Sequence, residues 1–114
     1  MFKKIKKLID NLKNIEKNKY ELEDIKFQNG RILYNLNLQK SSKNILDYEF
    51  KVFSQWGEDG IIAFLINNLE IKNKFFVEFG VENYVESNTR FLLKNNNWSG
   101  LIIDNSSKNV DFIK

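Results

Sequence analysis

Glu78, Gly80 and Asp104 are the residues whose types and spacing suit ligand chemistry. Each carboxylate stands at the end of a short apolar run, Phe75-Phe76-Val77-Glu78-Phe79-Gly80 in one case and Leu101-Ile102-Ile103-Asp104 in the other. An ionised carboxylate only accepts hydrogen bonds and can take two side by side, which suits the adjacent hydroxyls of a ribose. Asp104 follows Gly80 by 24 residues, near the roughly 20-residue spacing at which an acidic side chain meets those hydroxyls in dinucleotide folds. A cap for the segment after it is the other reading of Asp104, and one residue can do both. Glu78 is read either as the group that orders a glycine turn or as an exposed charge at a strand end. Gly80 serves a sharp reversal under both readings.

Positioning these groups falls to the elements around them. The two apolar runs are bounded by turn signals and read as strands buried on both faces. Between them, Ser87-Asn88 opens a short helix over 89–94, which Asn95-Asn96-Asn97 ends. Strand, crossover helix and parallel strand make a βαβ unit, and its ligands bind beyond the carboxyl ends of the strands. That edge would carry Glu78, Gly80 and Asp104, the start of a nucleotide-type site. Upstream, Ile61, Ile62, Leu65, Ile66 and Leu69 fall on one face of a helix from Glu58 to Leu69. Ser54 or Asp59 would cap it, and Glu58 with Asp59 suits the positive end of its dipole. Residues 48–53 alternate as a short extended segment.

The residues in this order resemble the class I S-adenosylmethionine-dependent methyltransferases, and within them the bacterial FkbM-like group. Three blocks carry the likeness: Val77-Glu78-Phe79-Gly80 with Glu86-Ser87-Asn88-Thr89; Trp98-Ser99-Gly100 with Leu101-Ile102-Ile103-Asp104; and Ser54-Gln55-Trp56-Gly57-Glu58-Asp59-Gly60 upstream. The resemblance covers residues 50–114. It implies an α/β fold that begins a doubly wound, Rossmann-like parallel sheet, and S-adenosyl-L-methionine as cofactor. It also implies an acceptor that is a small molecule or saccharide, methylated on oxygen as a surface-polysaccharide precursor. Glu78 would lie against the amino-acid end of the cofactor, with Gly80, Asn88 and Asp104 also cofactor-binding and Gln55 folding across the site. One departure stands out. The family's glycine loop has two or three glycines, whereas Val81, Glu82, Asn83 and Tyr84 follow Gly80 here.

Each βαβ unit takes roughly 30 residues, so 114 residues hold only the first two strands of such a sheet. The chain therefore reads as the amino-terminal portion of an incomplete domain, with residues 108–114 opening the next helix. No residue earns a catalytic role, since a base would come from a later strand. With no cysteine or histidine, disulfides, thiolate metal sites and the usual general base are excluded. No apolar run approaches the roughly 18 residues of a membrane span, and Asp10, Asn11 and Lys13 interrupt any signal-peptide centre. A cytoplasmic protein is expected.

The net charge of +3 hides an asymmetry: residues 1–40 carry ten Lys/Arg against five Asp/Glu, and residues 41–114 carry eight against ten. Residues 1–27 read as a basic amphipathic helix striped by Ile5, Leu8, Leu12, Ile15 and Leu22, with Lys19 and Lys26 breaking the seam. A solvated helix, a short coiled coil and a helix on an anionic membrane surface all fit. Glu16, Glu21, Glu23 and Asp24 dilute the basic face and argue against nucleic acid. Asn29-Gly30 signals a turn, which makes residues 28–47 a linker and 48–114 the candidate methyltransferase portion. Ser87 and Asn88 are caps or ligand contacts; Gln55, Glu58 and Asp59 form a helix start or reach the ligand. Trp56 and Trp98 are expected to pack, and Arg90 to pair with Glu86 one helical turn away. A non-enzymatic nucleotide-binding or interaction module is the rival reading, and the missing loop glycines favour it.

Overall fold

A computed structural model describes residues 1–113. Its first element is a helix, α1, from Phe2 to Leu38, far beyond the predicted end at residue 27. Helix-forming residues continue across the predicted linker, and Gly30 does not break the helix because it is wanted there for space. It is buried, and a Cβ at Gly30 would land on Val52 Cγ2 and stand 3.1 Å from Phe91 Cε2. Phe27, Leu33 and Tyr34 pack from the same part of α1 onto a cluster of Phe50, Val52, Phe53, Ala63 and Phe91. Phe91 meets Phe50 and Phe27 edge-on, with ring centroids 5.2 and 6.0 Å apart, the arrangement that aromatic quadrupoles favour. Residues 1–22, by contrast, are all exposed.

Residues 48–53 are not the expected extended segment. A 3-10 turn spans Ile45–Tyr48, and the chain then folds irregularly around one carboxylate. Asp59 Oδ2 accepts the N–H groups of Val52, Phe53 and Ser54 at 2.7, 2.8 and 2.9 Å and the Ser54 hydroxyl at 2.9 Å. Buried backbone donors need partners, and here a side chain replaces a strand ladder. Helix α2 follows from Glu58 to Asn68, with Gly57 as its N-cap. Ser54 Oγ accepts the Asp59 N–H at 3.1 Å and so satisfies one free donor of the first turn.

Strand β1 (Phe75–Phe79), helix α3 (Arg90–Asn96) and strand β2 (Ser99–Ile103) form a strand–helix–strand unit, and α4 (Ser107–Ile113) follows. The strands are parallel, in a two-stranded sheet that pairs Phe75 with Ser99 and Phe79 with Ile103. The fold is thus a small α/β arrangement. The strands are not buried on both faces as predicted. In-register residues share a face, and Phe75, Val77, Phe79, Leu101 and Ile103 are exposed, Phe79 by 72%. Phe76, Glu78 and Ile102, on the other face, are half-buried. Two further expectations fail: Trp56 is 75% exposed rather than packed, and Arg90 bonds Glu23 on α1 rather than Glu86. Trp98 is buried as expected.

Candidate functional site

The parallel register brings the ends of β1 and β2 to one edge, so Gly80 and Asp104 leave the sheet side by side. Gly80 N–H donates to Ile103 O at 2.8 Å and closes the ladder. The chain then turns through Gly80 (φ 67°), Glu82 (φ 49°) and Tyr84 (φ 62°). A Cβ at Gly80 would meet nothing within 4 Å, so this glycine is used for its backbone freedom. Glu82 and Tyr84 adopt left-handed backbone without that freedom, which costs of order 1 kcal/mol or more each and persists only where contacts hold it.

Asp104 holds Glu82, Val81 O accepts the Tyr84 N–H at 2.8 Å, and Glu78 fixes the segment that follows. Asp104 Oδ2 accepts the Glu82 N–H at 2.8 Å, and its Oδ1 accepts Ser106 N–H at 2.9 Å and Asn109 Nδ2 at 3.1 Å. The Ser106 N–H first, then the Asn109 amide and the Glu82 N–H, lower its pKa below the ordinary 3.8 by favouring the charged form. Glu78 grips the segment ahead of α3: Oε1 accepts Asn88 N–H at 2.9 Å, and Oε2 accepts Ser87 Oγ at 2.9 Å, Thr89 N–H at 3.1 Å and the Thr89 hydroxyl. Tyr84 completes the set with its hydroxyl 3.0 Å from Thr89 Oγ1. Burial raises the Tyr84 pKa above 10.0.

Glu78, Gly80, Asn88 and Asp104 therefore gather around one edge; Gln55 accepts a hydrogen bond from Lys51 Nζ at its backbone carbonyl, 2.7 Å away. Asn88 enters through its backbone N–H. Both sequence readings of Asp104 stay compatible with its surroundings, since its three bonds use three of about four acceptor positions. Sequence reading missed Thr89, Tyr84, Glu82 and Asn109. Ser87-Asn88-Thr89 ahead of a helix did signal donors that need an acceptor; nothing signalled the left-handed pair.

Arg90 fastens this loop to α1. Its guanidinium lies 2.6 Å from Glu23 Oε1, donates to Val85 O at 2.9 Å and stacks 4.2 Å from the Phe53 ring centroid. Between α1 and the loop runs a groove of about 360 Å³ lined by Glu16, Tyr20, Asn83, Tyr84, Arg90 and Phe112 among others. Among the described residues no cluster of acidic side chains is arranged to hold a metal ion. No protein family, no curated protein and no solved structure matches this chain.

Proposed function

We propose that the carboxyl edge of β1 and β2 binds S-adenosyl-L-methionine, and that the chain is the cofactor-binding portion of a Rossmann-like methyltransferase acting on an oxygen of a sugar or surface-polysaccharide precursor. The observation that carries this is the Asp104 carboxylate: it joins the loop after Gly80 to the start of α4 and keeps an acceptor position at the edge where nucleoside ligands bind in parallel sheets. Gly80 leaves the adjoining space open. The cofactor supplies an activated methyl group, so the work of these residues is orientation. Asp104 would take ribose hydroxyls, and Glu78 would hold the 87–89 turn that borders the amino-acid end.

Calorimetric titration with S-adenosylmethionine and S-adenosylhomocysteine tests the reading. Binding is expected, and Asp104→Ala should weaken it roughly ten- to a hundredfold, as loss of hydrogen bonds to a charged group does. An Asp104→Ala chain that loses stability but keeps its affinity would leave Asp104 a cap alone. A second reading, an interaction module without chemistry, is favoured by the exposed residues 1–22 of α1. Self-association without any response to either ligand would select it.

A further inference from the structure

Two apolar surfaces are exposed among the described residues, and they are complementary. One is the sheet face of Phe75, Val77, Phe79, Leu101 and Ile103; the other is the stripe of Phe2, Ile5, Leu8, Ile9, Leu12 and Ile15 on α1. Parallel sheets are stable when helices cover both faces, and here a helix of fitting length stands uncovered. Residues 2–15 span roughly 20 Å at 1.5 Å per residue, and five-residue strands span roughly 17 Å. The chain cannot join the two by itself. Phe27, Gly30 and Tyr34 pin α1 to the core, and Ile5 lies roughly 37 Å along the axis from Gly30.

We propose that two copies associate through a two-fold exchange, the amino-terminal part of α1 of each copy lying across the uncovered sheet face of the other. The areas suffice. Eleven side chains, each presenting on the order of 100 Å² by comparison with the 150–250 Å² of a buried aromatic, amount to about 1,000 Å² per copy. A stable pair buries about 800 Å² per partner. Charge agrees as well: residues 1–15 carry five lysines against one aspartate, whereas residues 41–114, which hold the sheet, carry ten acidic residues against eight basic ones. Such a contact is isologous and closes after two copies rather than growing into a fibre.

The absence of cysteine makes a direct test available. Chains carrying Leu12→Cys are mixed with chains carrying Leu101→Cys under mild oxidation. A covalent dimer is expected in the mixture and not in either variant alone, because a disulfide forms only when the two Cα atoms come within about 7 Å. Light scattering of the unaltered chain should give twice the monomer mass. Leu8→Lys and Val77→Lys, both at exposed positions, should each weaken association at least tenfold with circular dichroism unchanged. Cross-linking of Leu12→Cys with itself would indicate a coiled coil and overturn the proposal. So would a monomer at high concentration, or transfer of α1 to anionic vesicles with dimer mass lost.

Discussion

The Asp59 carboxylate holds the buried turn of residues 52–54 through a single oxygen that accepts three N–H groups and one hydroxyl. Its other oxygen is buried without a hydrogen-bond partner among the described residues. Asp59→Ala leaves those donors unpaired, and at about 1–3 kcal/mol per buried group the loss should reach roughly 3–5 kcal/mol in a denaturant titration. Asp59→Asn keeps one acceptor and should lose clearly less; equal losses would show that charge rather than acceptance matters. Glu78→Ala frees the donors of Ser87, Asn88 and Thr89 at a half-exposed site, where a loss of about 1–3 kcal/mol is expected by the same measurement. Acid sensitivity follows from two other carboxylates. Glu58 is held below 4.5 by its own N–H and that of Trp56, and Asp104 is held below 3.8. A depressed folded-state pKa stabilises fully above the unfolded value and is lost as pH falls through the folded one. The thermal midpoint should therefore drop as pH falls below 4.5 and on through the lowered folded values, and Glu58→Gln should flatten that drop. Tyr84 acts at the other end. Its raised pKa gives stability that is present below 10.0 and lost as pH climbs through the folded value, readable from phenolate absorbance.

Helix α1 shows where local sequence and tertiary packing disagree. Asn29-Gly30 reads as a turn, yet Gly30 lies buried in a continuous helix because Val52 and Phe91 occupy the space of its missing side chain. An exposed helical Gly→Ala change usually stabilises by about 0.5–1 kcal/mol. Gly30→Ala should instead cost about 1–3 kcal/mol through overpacking, visible as a lower thermal midpoint; a gain would mean α1 does not seat on the core. The strands, α2 and α3 were legible because apolar runs and helical spacing are local signals. Their exposure was not, since burial depends on what the rest of the molecule places beside them. The same limit explains the Arg90 error: Glu86 is near in sequence, but Glu23 is what α1 brings to it. At the site, Glu78, Gly80 and Asp104 were found through their strand-end positions, whereas Thr89 and Tyr84 act through contacts that no spacing rule encodes.

As a whole, the molecule extends 62 × 32 × 21 Å, a long basic helix joined at one end to a small α/β body. No helix among the described residues is long and apolar enough to cross a membrane. Helix–sheet exchange between copies would cover the apolar surfaces and leave the carboxyl edge free for a ligand. Ligand binding at the carboxyl edge is read most directly by amide chemical-shift mapping of the chain titrated with S-adenosylhomocysteine. Saturable shifts are expected at Gly80, Glu82, Asn88 and Asp104, with α1 residues 2–15 unaffected. Shifts confined to other regions, or none at saturating ligand, would mean that the edge does not bind the cofactor.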